Sequence, residues 1–172
     1  MNKILKLYFI DDKYVDYLQM FDDKVFYNKN STRPYVGVVY VLNKHNYFAP
    51  LSSSKPKHMK MNSKAIDIFK INNGRQGIVN INNMIPTPKE CLTEAIANTV
   101  NPIYRNLLIT QTSFLNSNKK ALLNKVKQFQ NRYNKGLLPK NILDRCCNYR
   151  FLESKCQEYI DKYLKRNTRK HY

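Results

Sequence analysis

The 172-residue chain has no tryptophan, only four glycines, and twelve acidic residues against thirty Lys and Arg. Glycines so few and so dispersed cannot build a glycine-rich phosphate loop, and no G-x-S-x-G nucleophile elbow occurs. No apolar run approaches the roughly 20 residues of a membrane-spanning helix, so no membrane association is expected. Residues 1–8 alternate instead of forming an apolar core, so they do not read as a secretory signal, and the cytoplasm is the expected compartment. Cys91, Cys146, Cys147 and Cys156 form no C-x-x-C pair. Reduced and mostly buried thiols are expected. His45, His58 and His171 show no metal-binding spacing, so neither a metal site nor a cofactor is expected.

What remains is charge. A net charge of +18 is too large for ordinary surface variation on this length and points to a polyanionic partner. A codon bias toward Lys would not suppress Asp and Glu. Residues 119–172 carry 15 basic and 4 acidic groups, making the last third the more cationic.

A single domain is expected over 1–172, β-rich through residue 100, helical over 101–167, and ending in a basic tail at 168–172. Residues 3–10 alternate like a half-buried strand. Asp11 and Asp12 can cap a helix through Phe21, and residues 22–33 form a polar loop. Residues 35–42 form a β-branched and aromatic run that pairs with the segment from Tyr47 across a turn at 43–46. Residues 52–62 lack an apolar period and are expected as a loop. Residues 66–71 and 77–81 flank the turn Asn72-Asn73-Gly74 as a second hairpin. Three amphipathic helical stripes follow, starting at Pro102, containing Leu122 to Tyr133, and running from Tyr149 to Leu164. Strands followed by helices without regular alternation give an α+β class.

The chemistry concentrates in Ser52-Ser53-Ser54-Lys55-Pro56-Lys57-His58, hydroxyls and ammonium groups directly after a strand. Such a set offers donors to phosphate oxygens, a cation for a doubly charged phosphorane, and a nearby imidazole. It suits cleavage of RNA through the substrate's own 2′-hydroxyl. Asp22-Asp23 reads as a solvated helix end and does not support a two-metal nuclease. Thirteen tyrosines could stack on bases, although most lie on apolar stripes and are expected in the core.

Tyr14-Val15-Asp16-Tyr17-Leu18, Phe21-Asp22-Asp23-Lys24-Val25, Val36-Gly37-Val38-Val39, residues 47–55, Gly77-Ile78-Val79-Asn80, Met84-Ile85-Pro86 and Cys147-Asn148-Tyr149 resemble, in this order, the ToxN/AbiQ family. These are endoribonuclease toxins of type III toxin–antitoxin and phage abortive-infection systems. The resemblance implies a strongly bent antiparallel sheet with a MazF/Kid-like barrel core, and helices packed on it. It also implies metal-independent cleavage leaving a 2′,3′-cyclic phosphate. A small repetitive RNA antitoxin, folded into pseudoknots, would inhibit the enzyme and assemble with it as a toxin–RNA hetero-oligomer. Cellular or phage mRNA would be the substrate. Ser53 and Lys55 match the family's catalytic Ser and Lys, Ser52 stands where Thr is usual, and Tyr14 matches an active-site Tyr on the first helix. Tyr27 and Arg33 are carried over as RNA contacts. Lys57 replaces an aromatic residue and is expected on phosphate, as is His58, taken as an exposed loop residue. The rival readings are a non-catalytic RNA-binding or ribosome-associated protein, and a DNA-binding regulator docking the basic face of the last helix.

Overall fold

The computed structural model describes residues 4–165; the expected tail at 168–172 lies outside them. Strand β1 (Lys6–Ile10) leads into helix α1 (Asp12–Gln19), whose first turn is capped by the Asp11 side chain accepting from the Lys13 amide at 2.8 Å. Strands β2 (Tyr35–Leu42) and β3 (His45–Ser52) form a hairpin with Leu42 opposite His45. The turn is therefore two residues, Asn43 and Lys44, both at positive φ, tighter than the four-residue connection expected.

Strands β4 (Ile68–Lys70) and β5 (Ile78–Asn80) form the second hairpin. Short strands β6 (Ile85–Pro86) and β7 (Leu92–Glu94) complete the sheet. The order is β4-β5-β3-β2-β1-β7, all neighbours antiparallel, with β6 paired to the first half of β3. Register shifts between Gly37 and Tyr40, an irregularity of the kind that bends a strand pair. The α+β class holds, but β4 and β7 do not pair, so the sheet is open and the expected barrel is not formed. Helices cover its apolar surface instead of closure.

Those helices are α3 (Pro102–Ser117), α4 (Lys119–Asn134) and α6 (Tyr149–Tyr159), packed on β1, β2 and β6, with short α5 (Lys140–Leu143) between the last two. Asn101 and Asn148 cap α3 and α6 by accepting from Tyr104 and Phe151 amides. One apolar cluster extends from Leu5 to Tyr159. All four cysteines are free and buried within it. No helix among the described residues is long and apolar enough to cross a membrane.

Candidate active site

Strand β3 is central in the sheet. Its first half pairs with β6, its second half with β5, and it ends at Ser52 opposite Ile78. The Ser/Lys segment therefore leaves the sheet from a fixed point. The turn between β4 and β5 holds it from the other side: a Cβ on Gly77 (φ +98°) would stand 2.1 Å from the Ser52 carbonyl, and one on Gly74 (φ +87°) 2.6 Å from that of His58. Only glycine allows both the backbone angle and the approach. Gln111 on α3 donates to the Gln76 carbonyl at 2.8 Å and braces that turn.

The segment expected as a loop contains a helix, α2 (Pro56–Lys60), with Pro56 at its start. This corrects the reading of His58 as an exposed loop residue. It is 2% exposed, and its Nδ1 is enclosed without a hydrogen-bond partner. Burial, with Lys57 and Lys55 adding to it, lowers its pKa below the ordinary histidine value. Enclosure and the two neighbouring ammonium groups thus disfavour the imidazolium form.

A cleft of about 560 Å³ opens beside this helix. It gathers Ser52, Lys55, Lys57, His58, Tyr27 and Arg33, six of the eight residues singled out from the sequence. Ser52 Oγ accepts from Asn80 Nδ2 at 3.0 Å, so its own proton is free to donate. Arg33 is clamped: its Nε donates to the Tyr27 carbonyl at 2.9 Å, a terminal nitrogen donates to the Leu51 carbonyl at 3.0 Å, and its guanidinium lies 4.9 Å from the Phe26 ring centre. The loop carrying Tyr27 and Arg33 is tied to α1 by Asp12, which accepts from Asn28 Nδ2 and the Ser31 amide, both at 2.7 Å. Tyr27 itself is 58% exposed and free to stack.

Arg33 and Ser52 border a second cleft as well and form the ridge between the two, with Ser53 lining the second. That second cleft, of about 380 Å³, is also lined by Tyr104, Leu107 and Gln111. A strand crossing the ridge would meet Ser52 and Lys55 on one side and Ser53 on the other. Tyr14 is not brought to either cleft. It is fully buried, its hydroxyl donates to the Pro86 carbonyl at 2.5 Å, and its ring packs edge-on against Tyr159 at 4.9 Å. A hydroxyl already spent on a core carbonyl has no proton to lend a substrate.

Sequence reasoning missed Asn80, Asn82, Asn83 and Asp67, the buried part of the cleft's lining, and the exposed Arg145 that pairs with Asp67. The signal available was the run Asn80-Ile81-Asn82-Asn83, whose three asparagines are buried after an apolar strand. Asp22 is likewise more than a solvated helix end: it accepts from the Asn148 amide at 2.7 Å, fastening this region to α6. Among the described residues no group of three or more His, Cys, Asp and Glu could hold a metal ion.

The family model "Toxin ToxN, type III toxin-antitoxin system" matches residues 6–157. The chain belongs to the ToxN family. Within it, the chain is 37% identical over 166 residues to endoribonuclease ToxN of Bacillus thuringiensis subsp. kurstaki, covering 91% of this chain and 85% of that one. It is 31% identical over 174 residues to endoribonuclease AbiQ of Lactococcus lactis subsp. lactis, covering 94% and 93%. A solved ToxN-family toxin, described as selectively inhibited by a non-coding RNA pseudoknot, superposes with a TM-score of 0.78 at 35% identity, covering 93% of this chain and all of that one. The structure of AbiQ, described as a lactococcal anti-phage endoribonuclease, superposes with a TM-score of 0.78 at 28% identity and the same coverage. The ToxN-family match thus spans the sheet, both clefts and most of α6.

Proposed function

We propose that the chain is an endoribonuclease toxin that cuts single-stranded RNA without metal and is held silent by a small repetitive RNA folded into pseudoknots. The observation that carries this reading is the gathering of Ser52, Lys55, Lys57, Arg33 and a His58 disfavoured as imidazolium in one cleft, in a chain of the ToxN family. The biological setting is defence against phage, in keeping with AbiQ, described as an anti-phage endoribonuclease of a type III toxin-antitoxin system.

The scissile phosphate lies over the ridge between the two clefts. Arg33, Lys55 and Lys57 neutralise it, and the Ser52 and Ser53 hydroxyls orient its oxygens by donation. His58, through its unenclosed Nε2, takes the proton of the substrate's 2′-hydroxyl as that oxygen attacks phosphorus. The bond from phosphorus to the 5′-oxygen breaks, and the Lys55 ammonium gives that oxygen a proton. The products are a 2′,3′-cyclic phosphate and a 5′-hydroxyl. The proton gained by His58 and the one lost by Lys55 are then re-equilibrated through solvent. Tyr27 supplies a ring for stacking beside the cut, and Tyr14 has no part in the reaction.

The test is incubation of purified protein with RNA in excess EDTA, followed by analysis of the product ends. Cyclic phosphate and 5′-hydroxyl ends are expected. Activity lost on chelation and restored by a divalent cation, or 3′-hydroxyl ends, overturns the mechanism; binding without turnover leaves the non-catalytic RNA-binding reading.

A further inference from the structure

The exposed and the buried parts of the cleft differ in chemistry. Lys24, Arg33, Lys55 and Lys57 supply cations beside the exposed carboxylates of Asp23, paired to Lys24, and Asp144, whereas the buried part, the floor, is built from Asn80, Asn82, Asn83 and Asp67. Each asparagine carboxamide ordinarily offers two N–H donors and an acceptor oxygen. Here most of the donor ends are committed to the protein. Asn80 Nδ2 donates to the Pro50 carbonyl and Ser52 Oγ, both at 3.0 Å. Asn82 Nδ2 donates to the Arg145 carbonyl at 3.2 Å. Asn83 Nδ2 donates to the Lys24 carbonyl at 3.0 Å and the Arg145 carbonyl at 3.1 Å.

These bonds fix the orientation of all three amides. Their oxygens accept no hydrogen bond among the described residues, and none is among the enclosed polar atoms, so they are open to the cleft. Asp67 adds a carboxylate, one oxygen of which is occupied by Arg145 at 2.8 Å. The floor consequently presents acceptors and almost no donors. Phosphate oxygens are acceptors too and are repelled by it, which leaves the phosphates to the cations of the exposed part.

The groups of RNA that complement such a floor are the exocyclic amino groups of adenine, guanine and cytosine, each with two N–H on one nitrogen. Uracil offers a single N–H between two carbonyl oxygens, which would face the asparagine oxygens. Ile68 and Ile78 line the same cleft and give a base ring an apolar wall. From this arrangement we infer that the Asn80, Asn82, Asn83 and Asp67 floor is a nucleobase subsite that selects an amino-bearing base beside the scissile phosphate and rejects uracil. The inference rests on the ribonuclease reading for its place in the reaction.

The test deletes single atoms from the substrate, so the protein's fold is untouched. In a short cleavable oligoribonucleotide, each adenine in turn is replaced by purine, each guanine by hypoxanthine and each cytosine by 2-pyrimidinone. Single-turnover cleavage is measured for each, together with the Kd of matching oligonucleotides carrying a 2′-deoxy sugar at the cut. At one position next to the cut, loss of the amino group should weaken both by about 5- to 100-fold, while other positions change by less than about twofold. Asp67→Asn, which adds donors to the floor, should narrow the preference over uracil at that position. Indifference to amino deletion at every position, or preference for uracil there, overturns the inference. Cleavage that ignores the 2′-deoxy sugar, or fails with every RNA, overturns the ribonuclease reading instead, and the Kd series still decides the subsite.

Discussion

Tyr14 on α1 and His58 on α2 are both almost fully enclosed and differ in what their polar atoms do. On the aromatic side, Tyr14 spends its hydroxyl on the Pro86 carbonyl, Tyr159 packs edge-on against its ring at 4.9 Å, and Tyr17 packs against Tyr159 at 5.1 Å. Burial raises the pKa of Tyr14 well above the ordinary phenol value and that of Tyr159 to about 12. On the cleft side, His58 has a ring disfavoured as imidazolium, with an unpartnered nitrogen, set among cations. A hydroxyl bonded to a core carbonyl holds structure, whereas a ring that lines a cleft among cations is placed for chemistry. The comparison therefore assigns reactivity to the β3, α2 and β5 side and stability to the α1 and α6 side.

The largest effect that would sharpen this division is at Lys55. Lys55→Ala should lower cleavage by about 10² to 10³ and abolish growth arrest, with an unchanged melting temperature, because the side chain is exposed and belongs to no packed cluster. Measured cleavage per folded molecule and calorimetry check the two halves separately. On the aromatic side the pattern should invert. Tyr14→Phe removes the only hydrogen-bonding group of a buried ring and leaves the Pro86 carbonyl without that donor, costing about 1–3 kcal/mol in urea unfolding.

The pH dependence of stability is a finer probe. The pKa of His58 is lowered from its ordinary 6.5, so the unfolded chain takes up a proton that the folded chain resists. The contribution of His58 is fully present above 6.5 and is lost as pH falls through 6.5 toward the lower folded value. His58→Gln should therefore flatten the fall of melting temperature with acid relative to the parent chain, and an equal slope in both would separate His58 from any burial effect. The smallest effect is at Lys57. If it contacts a phosphate, Lys57→Ala should reduce the slope of log affinity against log salt by about 0.7 for single-stranded RNA, read by titration with a non-cleavable 2′-deoxy-substituted oligonucleotide.

The hairpin of Tyr35 to Ser52 and the three long helices were legible because their patterns are local: a β-branched and aromatic run before a turn, Pro102 at a helix start, and apolar stripes at helical spacing. Helix α2 was not, since its five residues carry no apolar period and the Asn72–Gly77 turn packs beneath them. Strands β6 and β7 are too short to show a period. At the site, the Ser/Lys cluster and Arg33 could be named from chemistry and resemblance because they are close in sequence or carried by a motif. The asparagine floor escaped notice because its meaning lies in partners 30 to 63 residues away, Pro50, Lys24 and Arg145. Tyr14 shows the matching limit, its hydroxyl meeting Pro86, 72 residues away. A motif match fixes a residue's position on a helix but not what its hydroxyl bonds to.

The most direct test of the division sets the two enclosed residues side by side. Single-turnover RNA cleavage by His58→Gln and Tyr14→Phe is measured at matched folded concentration near neutral pH. His58→Gln should fall by about 10² or more, while Tyr14→Phe should stay within about twofold of the parent chain. The reverse pattern, Tyr14→Phe inactive and His58→Gln active, would contradict the account and move the chemistry to the aromatic side.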